Sequence, residues 1–186
     1  MRETEWVKQI ARQLAADAGL KKDKVEPEVG LKLPYGYEIR SYGGSGGSET
    51  IKYETDLVLV ERGPGETWQP RVVIEAKINS INTHDAITYS QKAASHRAIH
   101  PYLRYGLMLG NRGRYPLPGR LYRHGQNFDF MISFAAFNPT TEEMMRFVKL
   151  LRAEVKASRA MERIVYESRK KGRDHFTVLH RALLLE

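Results

Sequence analysis

Apolar residues recur at helical spacing close to the start of the chain. Within residues 2–18 the positions on one stripe are Trp6, Val7, Ile10, Ala11 and Leu14. This spacing predicts an amphipathic first helix, and Gly19 is suited to end it. Residues 20–36 contain two prolines and two glycines, which predicts a loop. The segment YEIRSY (37–42) is a candidate short strand, and GGSGGS (43–48) is typical of a flexible loop.

The middle of the chain has the pattern of β-strands. The segment TIKYETDLVLVE (50–61) is rich in β-branched and aromatic residues, which predicts one strand. Turn residues follow in RGPGETWQP (62–70), and a second strand is predicted over 71–78. The two strands are expected to pair as an antiparallel hairpin.

A helix and two short strands are predicted after this hairpin. The helix covers 83–99, with Thr83 as its N-cap and Pro101 beyond its end. The strands are short apolar runs at 105–110 and 128–134, and residues 111–127 join them as a long loop. Long loops in compact domains tend to be functional or disordered.

The C-terminal part of the chain has the pattern of a long helix. It begins with a capping box from Thr140 to Glu143 and continues with an apolar stripe; a break is allowed near Ser158. The tail 175–186 fits a strand or a last helix. The resulting order, αβββαββα, predicts one α/β (α+β) domain over 1–186, with a central mixed sheet flanked by helices. Its core spans about 1–136, and a helical extension spans about 140–186.

Amino-acid composition narrows the range of possible functions. The 186 residues include no cysteine, which excludes a disulfide framework, a thiolate zinc site and a cysteine nucleophile. The formal charge of +8 favours a polyanionic partner. The first residues lack the apolar core of a signal peptide, and no apolar run approaches the ~18 residues of a membrane span. We therefore expect a soluble, cytoplasmic protein with no membrane partner, and a polyanion that is DNA or RNA.

The strand RVVIEAKIN (71–79) carries a carboxylate and an ammonium inside an apolar run. Alternate side chains of a strand share a face, so Glu75 and Lys77 are predicted to point the same way, about 7 Å apart along the backbone. The opposite face is apolar and is expected to enter the core; it comprises Val72, Ile74, Ala76 and Ile78.

A second carboxylate is predicted to face this strand. If Val60 pairs with Arg71, Asp56 lies opposite Glu75, with the two Cβ atoms roughly 4.5 to 5.5 Å apart. Two carboxylates this close repel each other unless a proton or a cation lies between them. A divalent cation bound by Asp56, Glu75 and a neighbouring carbonyl would resolve the repulsion, and oxygen ligands suit Mg²⁺ or Mn²⁺.

The combination of Asp56, a turn and Glu75-Ala76-Lys77 resembles the PD-(D/E)xK nuclease superfamily, which has the restriction-endonuclease-like fold. The resemblance implies an αβββαβ core and Mg²⁺-dependent hydrolysis of a phosphodiester bond. It implies that Asp56, Glu75 and the Ala76 carbonyl bind the metal. It also implies that Lys77 orients or helps to deprotonate the attacking water. The residue before Asp56 is Thr55, where the family motif has proline.

The resemblance adds two further candidates. Family members often carry another acid on the first helix, which makes Glu5 or Glu3 a candidate catalytic residue. One branch has a glutamine on the following helix, which Gln91 would match, although the tyrosine expected four residues later is Ser95 here.

A basic segment offers candidate DNA contacts. Residues 91–131 contain seven Lys or Arg against one acid, interleaved with tyrosines. Arginines in such a segment can bind phosphates or read guanine edges. The candidate DNA-binding residues are Lys92, Arg97, Arg112, Arg114, Arg120 and Arg123.

Other chemistries have less support. His96 and His100 lie four residues apart on the predicted helix, but no Glu or Cys joins them at zinc-site spacing. The chain has no GxSxG motif and no Walker lysine loop, so neither serine hydrolysis nor NTP hydrolysis is predicted.

The expected function is that of a Mg²⁺-dependent endodeoxyribonuclease, foremost a type II restriction endonuclease. A structure-selective nuclease that resembles Holliday-junction resolvases and a non-cleaving DNA-binding protein with the same fold are the alternatives. An enzyme that cuts both strands with one site per chain needs two chains, and the long C-terminal helix offers an interface, so we expect a homodimer.

Overall fold

The computed structural model describes residues 1–44, 46–167, 179 and 183–185. The helices in this part of the chain are α1 (Glu3–Ala16), α2 (Ala18–Lys22), α3 (Thr83–Ile99), α4 (Gly119–His124) and α5 (Thr141–Glu167). The strands are β1 (Val25–Val29), β2 (Lys32–Ile39), β3 (Ser48–Glu54), β4 (Leu57–Arg62), β5 (Trp68–Ile78), β6 (Arg104–Gly110) and β7 (Phe130–Ser133). Within the described residues, no helix is both long and apolar enough to cross a membrane.

The main sheet is mixed and has five strands in the order β1-β4-β5-β6-β7. The pairs β1–β4 and β4–β5 are antiparallel, whereas β5–β6 and β6–β7 are parallel. Strands β2 and β3 form a separate two-stranded antiparallel sheet. The predicted mixed α/β architecture, with a central sheet, flanking helices and a long C-terminal helix, is confirmed.

Both faces of the main sheet are covered. Alternate residues of β5 take opposite sides: Val72 and Ile74 pack into one apolar cluster, and Val73 packs into another. The first cluster includes residues of α1 and α5, and the second includes Ala93 of α3. Helix α5 therefore packs in the same core as α1. Because both faces are buried, a charged side chain in the middle of β5 must find its partners inside the protein.

The segment predicted as one strand over 50–61 is two strands in two different sheets. Strand β3 ends at Glu54, β4 begins at Leu57, and Thr55 and Asp56 form the crossing between them. Thr55 is buried, and its N–H and hydroxyl both donate to the carbonyl of Leu31. The single-strand prediction was wrong because these hydrogen bonds end one sheet where the next begins.

The loop predicted over 20–36 is largely regular structure. The Asp17 side chain accepts a hydrogen bond from the Leu20 N–H and caps α2, so Gly19 lies inside a helix and does not end one. Pro27 lies in β1, which is an edge strand, where a missing N–H is tolerated. Strand β2 also includes residues 37–39 of the candidate short strand and ends at Ile39, and β3 begins at Ser48, the last residue of the segment GGSGGS.

Later boundaries differ in smaller ways. Asn82, rather than Thr83, caps α3, since its side chain accepts from the Asp85 N–H. The predicted loop 111–127 contains α4, which is held to the core by the buried Leu121. Helix α5 continues through the buried Ser158 without a break. The capping box at Thr140 is confirmed, and most of the tail 175–186 lies outside the described residues.

Candidate active site

Asp56 lies at the crossing into β4, next to the centre of β5. Leu57 pairs with Ile74, and Oδ2 of Asp56 accepts a hydrogen bond of 2.8 Å from the Ala76 N–H. The assumed pairing of Val60 with Arg71 was wrong, because a β-bulge pairs Val60 with Pro70. From Leu59 to Leu57 the strands pair in the predicted register, which continues to Asp56 opposite Glu75. The carboxylate of Asp56 is therefore directed at the Glu75–Ala76 segment.

Glu75 is buried, with 1% of its surface exposed. Its Oε1 accepts a hydrogen bond of 2.6 Å from the Tyr105 hydroxyl and lies 2.8 Å from Nζ of Lys92. Burial, to which the negative charge of Asp56 adds, raises the pKa of Glu75 to about 7 although Lys92 and Tyr105 oppose the shift. Glu75 is thus poised between a protonated and an ionised carboxyl group near neutral pH.

Lys77 lies at the solvent side of the site. Its side chain is about a quarter exposed, and Nζ lies 3.8 Å from Oε1 of Glu3. The same Nζ lies 5.6 Å from the centre of the Tyr89 ring, which is also 5.6 Å from Nζ of Lys92. Burial, and then the charges of Asp56 and Glu75, raise the pKa of the Tyr89 hydroxyl, which therefore stays protonated. The two lysines and Tyr89 supply positive charge and a hydroxyl beside the carboxylates.

The first helix contributes Glu3 to this cluster. Burial raises the pKa of Glu3; Lys77 opposes the shift and Asp56 adds to it, so Glu3 interacts with both site residues. Glu5 is exposed and binds Arg2, whose backbone and side-chain hydrogen bonds lower the pKa of Glu5. Of the two acids considered from sequence, the structure brings Glu3, and not Glu5, to the site.

Helix α3 contributes Lys92 and Tyr89 rather than Gln91. Gln91 is exposed, whereas the next residue, Lys92, turns inward to Glu75. The sequence interpretation assigned Lys92 to DNA and missed Tyr89 and Tyr105 as site residues. For Tyr89 and Lys92, the position in the helix is the feature that could have indicated the site. The two residues are three apart, and each lies next to a buried position of α3, Ser90 or Ala93.

Most of the predicted DNA-binding arginines have partners within the protein. Arg97 binds Asp129 and the Asn127 carbonyl, Arg112 binds the Asn79 carbonyl, and Arg120 binds the Ile81 carbonyl. Arg114 and Arg123 are exposed. Lys92 pairs with Glu75, and only Arg114 and Arg123 of the six candidates have exposed side chains in the described structure.

The donor set limits how a metal could bind. Among the described residues, no three His, Cys, Asp or Glu side chains are grouped to hold a metal ion. The predicted ligands include only two side chains, Asp56 and Glu75, with the Ala76 carbonyl as the third. The hydrogen bonds above engage Oδ2 of Asp56 and Oε1 of Glu75, and each carboxylate has a second oxygen. Two adjacent carboxylates, one of them with a raised pKa, are a donor set that suits a hard divalent cation.

The nearby histidines have structural surroundings. The His96 ring is buried and stacks on the Tyr105 ring at 5.7 Å, and its Nε2 lies 3.3 Å from the Leu33 carbonyl oxygen. Burial lowers the pKa of His96 to about 4, so its ring is neutral at physiological pH. His96 therefore supports the back of the Glu75–Tyr105 contact.

The chain matches no known family model and no curated protein sequence.

Proposed function

We propose that the protein is a Mg²⁺-dependent endonuclease that hydrolyses DNA phosphodiester bonds, with Asp56, Glu75 and Lys77 at its active centre. The observation that carries the proposal is the hydrogen bond from the Ala76 N–H to Asp56. It fixes one carboxylate against the strand that bears the other carboxylate and the lysine.

The order of elements supports a restriction-endonuclease-like core. Without α2 and the β2–β3 hairpin, the chain runs α1, β1, β4, β5, α3, β6. This is the order αβββαβ, and the candidate residues lie at the start of β4 and within β5. The β2–β3 hairpin would then be an insertion that returns to the main sheet directly before Asp56.

The proposed chemistry divides between the metal and the side chains. Asp56, Glu75 and the Ala76 carbonyl would hold Mg²⁺, which lowers the pKa of bound water and neutralises charge on the phosphate. Lys77 reaches solvent, where its ammonium would orient the attacking water and stabilise negative charge on the phosphate. Glu3, beside Lys77, would fix the direction of that ammonium.

Charge supports a nucleic-acid substrate. The formal charge of +8 raises the local concentration of a polyanion. Arg114 and Arg123 are exposed, and within the described part of the chain they lack internal bonds like those that hold Arg97 and Arg120, so they are the arginines best suited to contact DNA phosphates.

A plasmid assay tests the proposal. Supercoiled plasmid is incubated with the wild-type protein in Mg²⁺, in Mn²⁺ and in EDTA, and with Lys77→Ala in Mg²⁺. We expect nicked or linear product from the wild type only with a divalent cation. The Lys77→Ala variant should lose about 10²- to 10³-fold in rate, because a positioned group that stabilises developing negative charge contributes effects of this size. Lys8→Ala, which removes an exposed lysine of α1 outside the site, is the control and should retain the wild-type rate.

The same assay separates the alternatives. A wild type that shifts DNA on a gel but leaves it intact with every divalent cation would make the protein a non-cleaving DNA binder. Discrete fragments from a long duplex would indicate a type II restriction endonuclease, and cleavage confined to four-way junctions would indicate a resolvase-like enzyme.

The proposed enzyme is a homodimer. The apolar stripe of α5 considered as an interface is partly used within the chain, because Phe147, Leu151 and Val155 are buried against the sheet. Met145, Ile164 and Tyr166 of the same helix are exposed. Sedimentation equilibrium of the wild type, with a mass near twice 21.4 kDa expected, tests the assembly.

A further inference from the structure

Lys92 lies in an enclosed site for its ammonium group. Its side chain is 16% exposed, and Nζ lies 2.8 Å from Oε1 of Glu75 and 3.0 Å from the Glu54 carbonyl oxygen. The rings of Tyr53 and Tyr89 lie 5.8 and 5.6 Å from Nζ. One carboxylate, one carbonyl and two aromatic faces therefore surround the charge, which is a satisfactory environment for a desolvated ammonium.

This environment differs from that of the other lysine of the site. Lys77 is more exposed than Lys92, and its ion-pair partner, Glu3, is 3.8 Å away. The Lys77 ammonium can therefore turn toward a bound phosphate. The Lys92 ammonium, in contrast, already bonds both the Glu75 carboxylate and the Glu54 carbonyl, and it would have to give up one of these partners to reach a phosphate.

The two bonds of Lys92 link the Glu75 carboxylate to the backbone at Glu54, close in the chain to Asp56. Glu54 is the last residue of β3 and lies two residues before Asp56, at the crossing into the main sheet. The ammonium thus ties the Glu75 side chain to the backbone that leads to Asp56. The Tyr105 hydroxyl restrains the same oxygen of Glu75, at 2.6 Å.

We propose that Lys92 is a positioning residue that holds Glu75 by one oxygen and fixes it relative to Asp56, so that the two carboxylates are arranged for a divalent cation before it binds. This role rests on the proposed function, since it assumes that the two carboxylates are metal ligands. Partners that orient a metal ligand commonly contribute 10- to 100-fold to metal affinity. Lys92 is then an internal part of the site and makes no contact with DNA.

The test measures metal binding without cleavage. Mn²⁺ is titrated into the full-length wild type and into Lys92→Gln and Lys92→Arg by isothermal titration calorimetry without DNA. Lys92→Gln should bind Mn²⁺ about 10- to 100-fold more weakly than the wild type. Lys92→Arg keeps the positive charge but changes the shape and reach of the side chain, so its Mn²⁺ affinity should lie between those of the wild type and Lys92→Gln. Lys149→Gln, an exposed lysine of α5 in the other helix layer, is the matched control and should bind like the wild type.

DNA binding gives a second readout. Fluorescence anisotropy of a labelled duplex in EDTA, over a series of salt concentrations, should give the same affinity and salt dependence for Lys92→Gln as for the wild type. A weaker affinity with a salt slope smaller by about one would make Lys92 a phosphate contact and overturn the proposal.

Two Mn²⁺ results also overturn the proposal. Unchanged binding by Lys92→Gln would mean that Lys92 positions nothing, and tighter binding would mean that its charge only competes with the metal. If circular dichroism shows that Lys92→Gln is unfolded, the Lys92→Arg variant tests the proposal instead. It should bind Mn²⁺ at least about fivefold more weakly than the wild type, and equal binding would contradict the positioning role. A wild type that binds no Mn²⁺ overturns the proposed function as well, whereas a normal wild type beside an unaffected Lys92→Gln overturns only the role of Lys92.

Discussion

Strand β5 carries two buried charged residues, and their surroundings differ. Arg71, the unpaired residue of the bulge, donates to Glu61, Glu162 and Gln69 at 2.6 to 2.7 Å. Glu75, four residues later, meets one lysine and one tyrosine but also a second carboxylate, Asp56. Arg71 is surrounded by opposite charges and an amide, whereas Glu75 faces a like charge.

The two regions differ in the direction of their pKa shifts. Burial opposes ionisation of Glu61, but the hydrogen bonds of Arg159 and Arg71 outweigh it and lower the pKa of Glu61. At the other end of the strand burial prevails, and the pKa of Glu75 rises to about 7. A buried charge with a complete set of opposite partners is typical of a structural ion-pair network, in which removal of one partner is destabilising. A buried charge left beside a like charge is more typical of a site that binds something.

The largest expected effect is on activity at the Glu75 end. Glu75→Gln should reduce the rate of plasmid cleavage by at least 10³-fold, about 4 kcal/mol, because it removes a ligand charge from the proposed metal site. The amide oxygen can still accept from Tyr105 and Lys92, so the free energy of unfolding near pH 7 should stay within about 1 kcal/mol of the wild type. Urea unfolding and the plasmid assay measure the two quantities; a large loss of stability would show that Glu75 is a structural residue like Arg71.

At the Arg71 end the expected effect is on stability. Arg71→Met should lower the free energy of unfolding by about 3–4 kcal/mol, because it leaves Glu61 and Glu162 without their buried partner. Arg62→Met on the neighbouring strand is the control: Arg62 is half exposed, and its loss should cost at most about 1 kcal/mol. Urea unfolding of both variants measures their free energies of unfolding. Equal losses of stability in the two variants would contradict a structural role for Arg71.

The smallest expected effect is a pH dependence that differs between the two regions. The pKa of Glu75 is about 7 in the folded protein against 4.5 ordinarily, so the folded state holds a proton that the unfolded chain has released between these values. Stability from this group is full below about pH 4.5 and is lost as the pH rises through 7, by on the order of 3 kcal/mol. The lowered pKa of Glu61 has the opposite effect on stability. Glu61 stabilises the fold at a pH above its ordinary pKa, and this contribution is lost as the pH falls through the lowered pKa of the folded state.

Urea unfolding of wild type and Glu75→Gln from pH 4.5 to 8 in EDTA isolates this effect. The wild type should lose stability relative to the variant as the pH rises. Parallel pH profiles would show that Glu75 does not bind an extra proton in the folded state.

Periodicity was sufficient to predict the elements that bury one continuous stripe or run. The first helix, α3, β6 and the long C-terminal helix follow from such patterns. It failed where hydrogen bonds decide the boundary, as at Thr55, whose bonds to Leu31 divide one β-rich segment between two sheets. It also failed over 20–36, because Pro27 is acceptable only on an edge strand, and edge position is a tertiary property.

The candidate site divides in the same way. Strand alternation predicted that Glu75 and Lys77 share a face, and the assumed hairpin register, although wrong at Val60, predicted that Asp56 lies beside Glu75. The choice of Glu3 over Glu5, and of Lys92 over Gln91, depends on how α1 and α3 lie against the sheet. Neighbouring residues of a helix point about 100° apart, so the helix orientation decides which of them reaches the site.

The sequence by itself determined the elements that bury one continuous stripe or run, and the face shared by Glu75 and Lys77, because both depend on interactions between residues close in the chain. Only the tertiary structure decided that Arg71 leaves the regular register, that Lys92 lies inside the site, and that Glu75 is buried beside Asp56. These features arise from long-range packing. The energy of a charge depends on how much water that packing removes and on which partners it brings within a few ångströms.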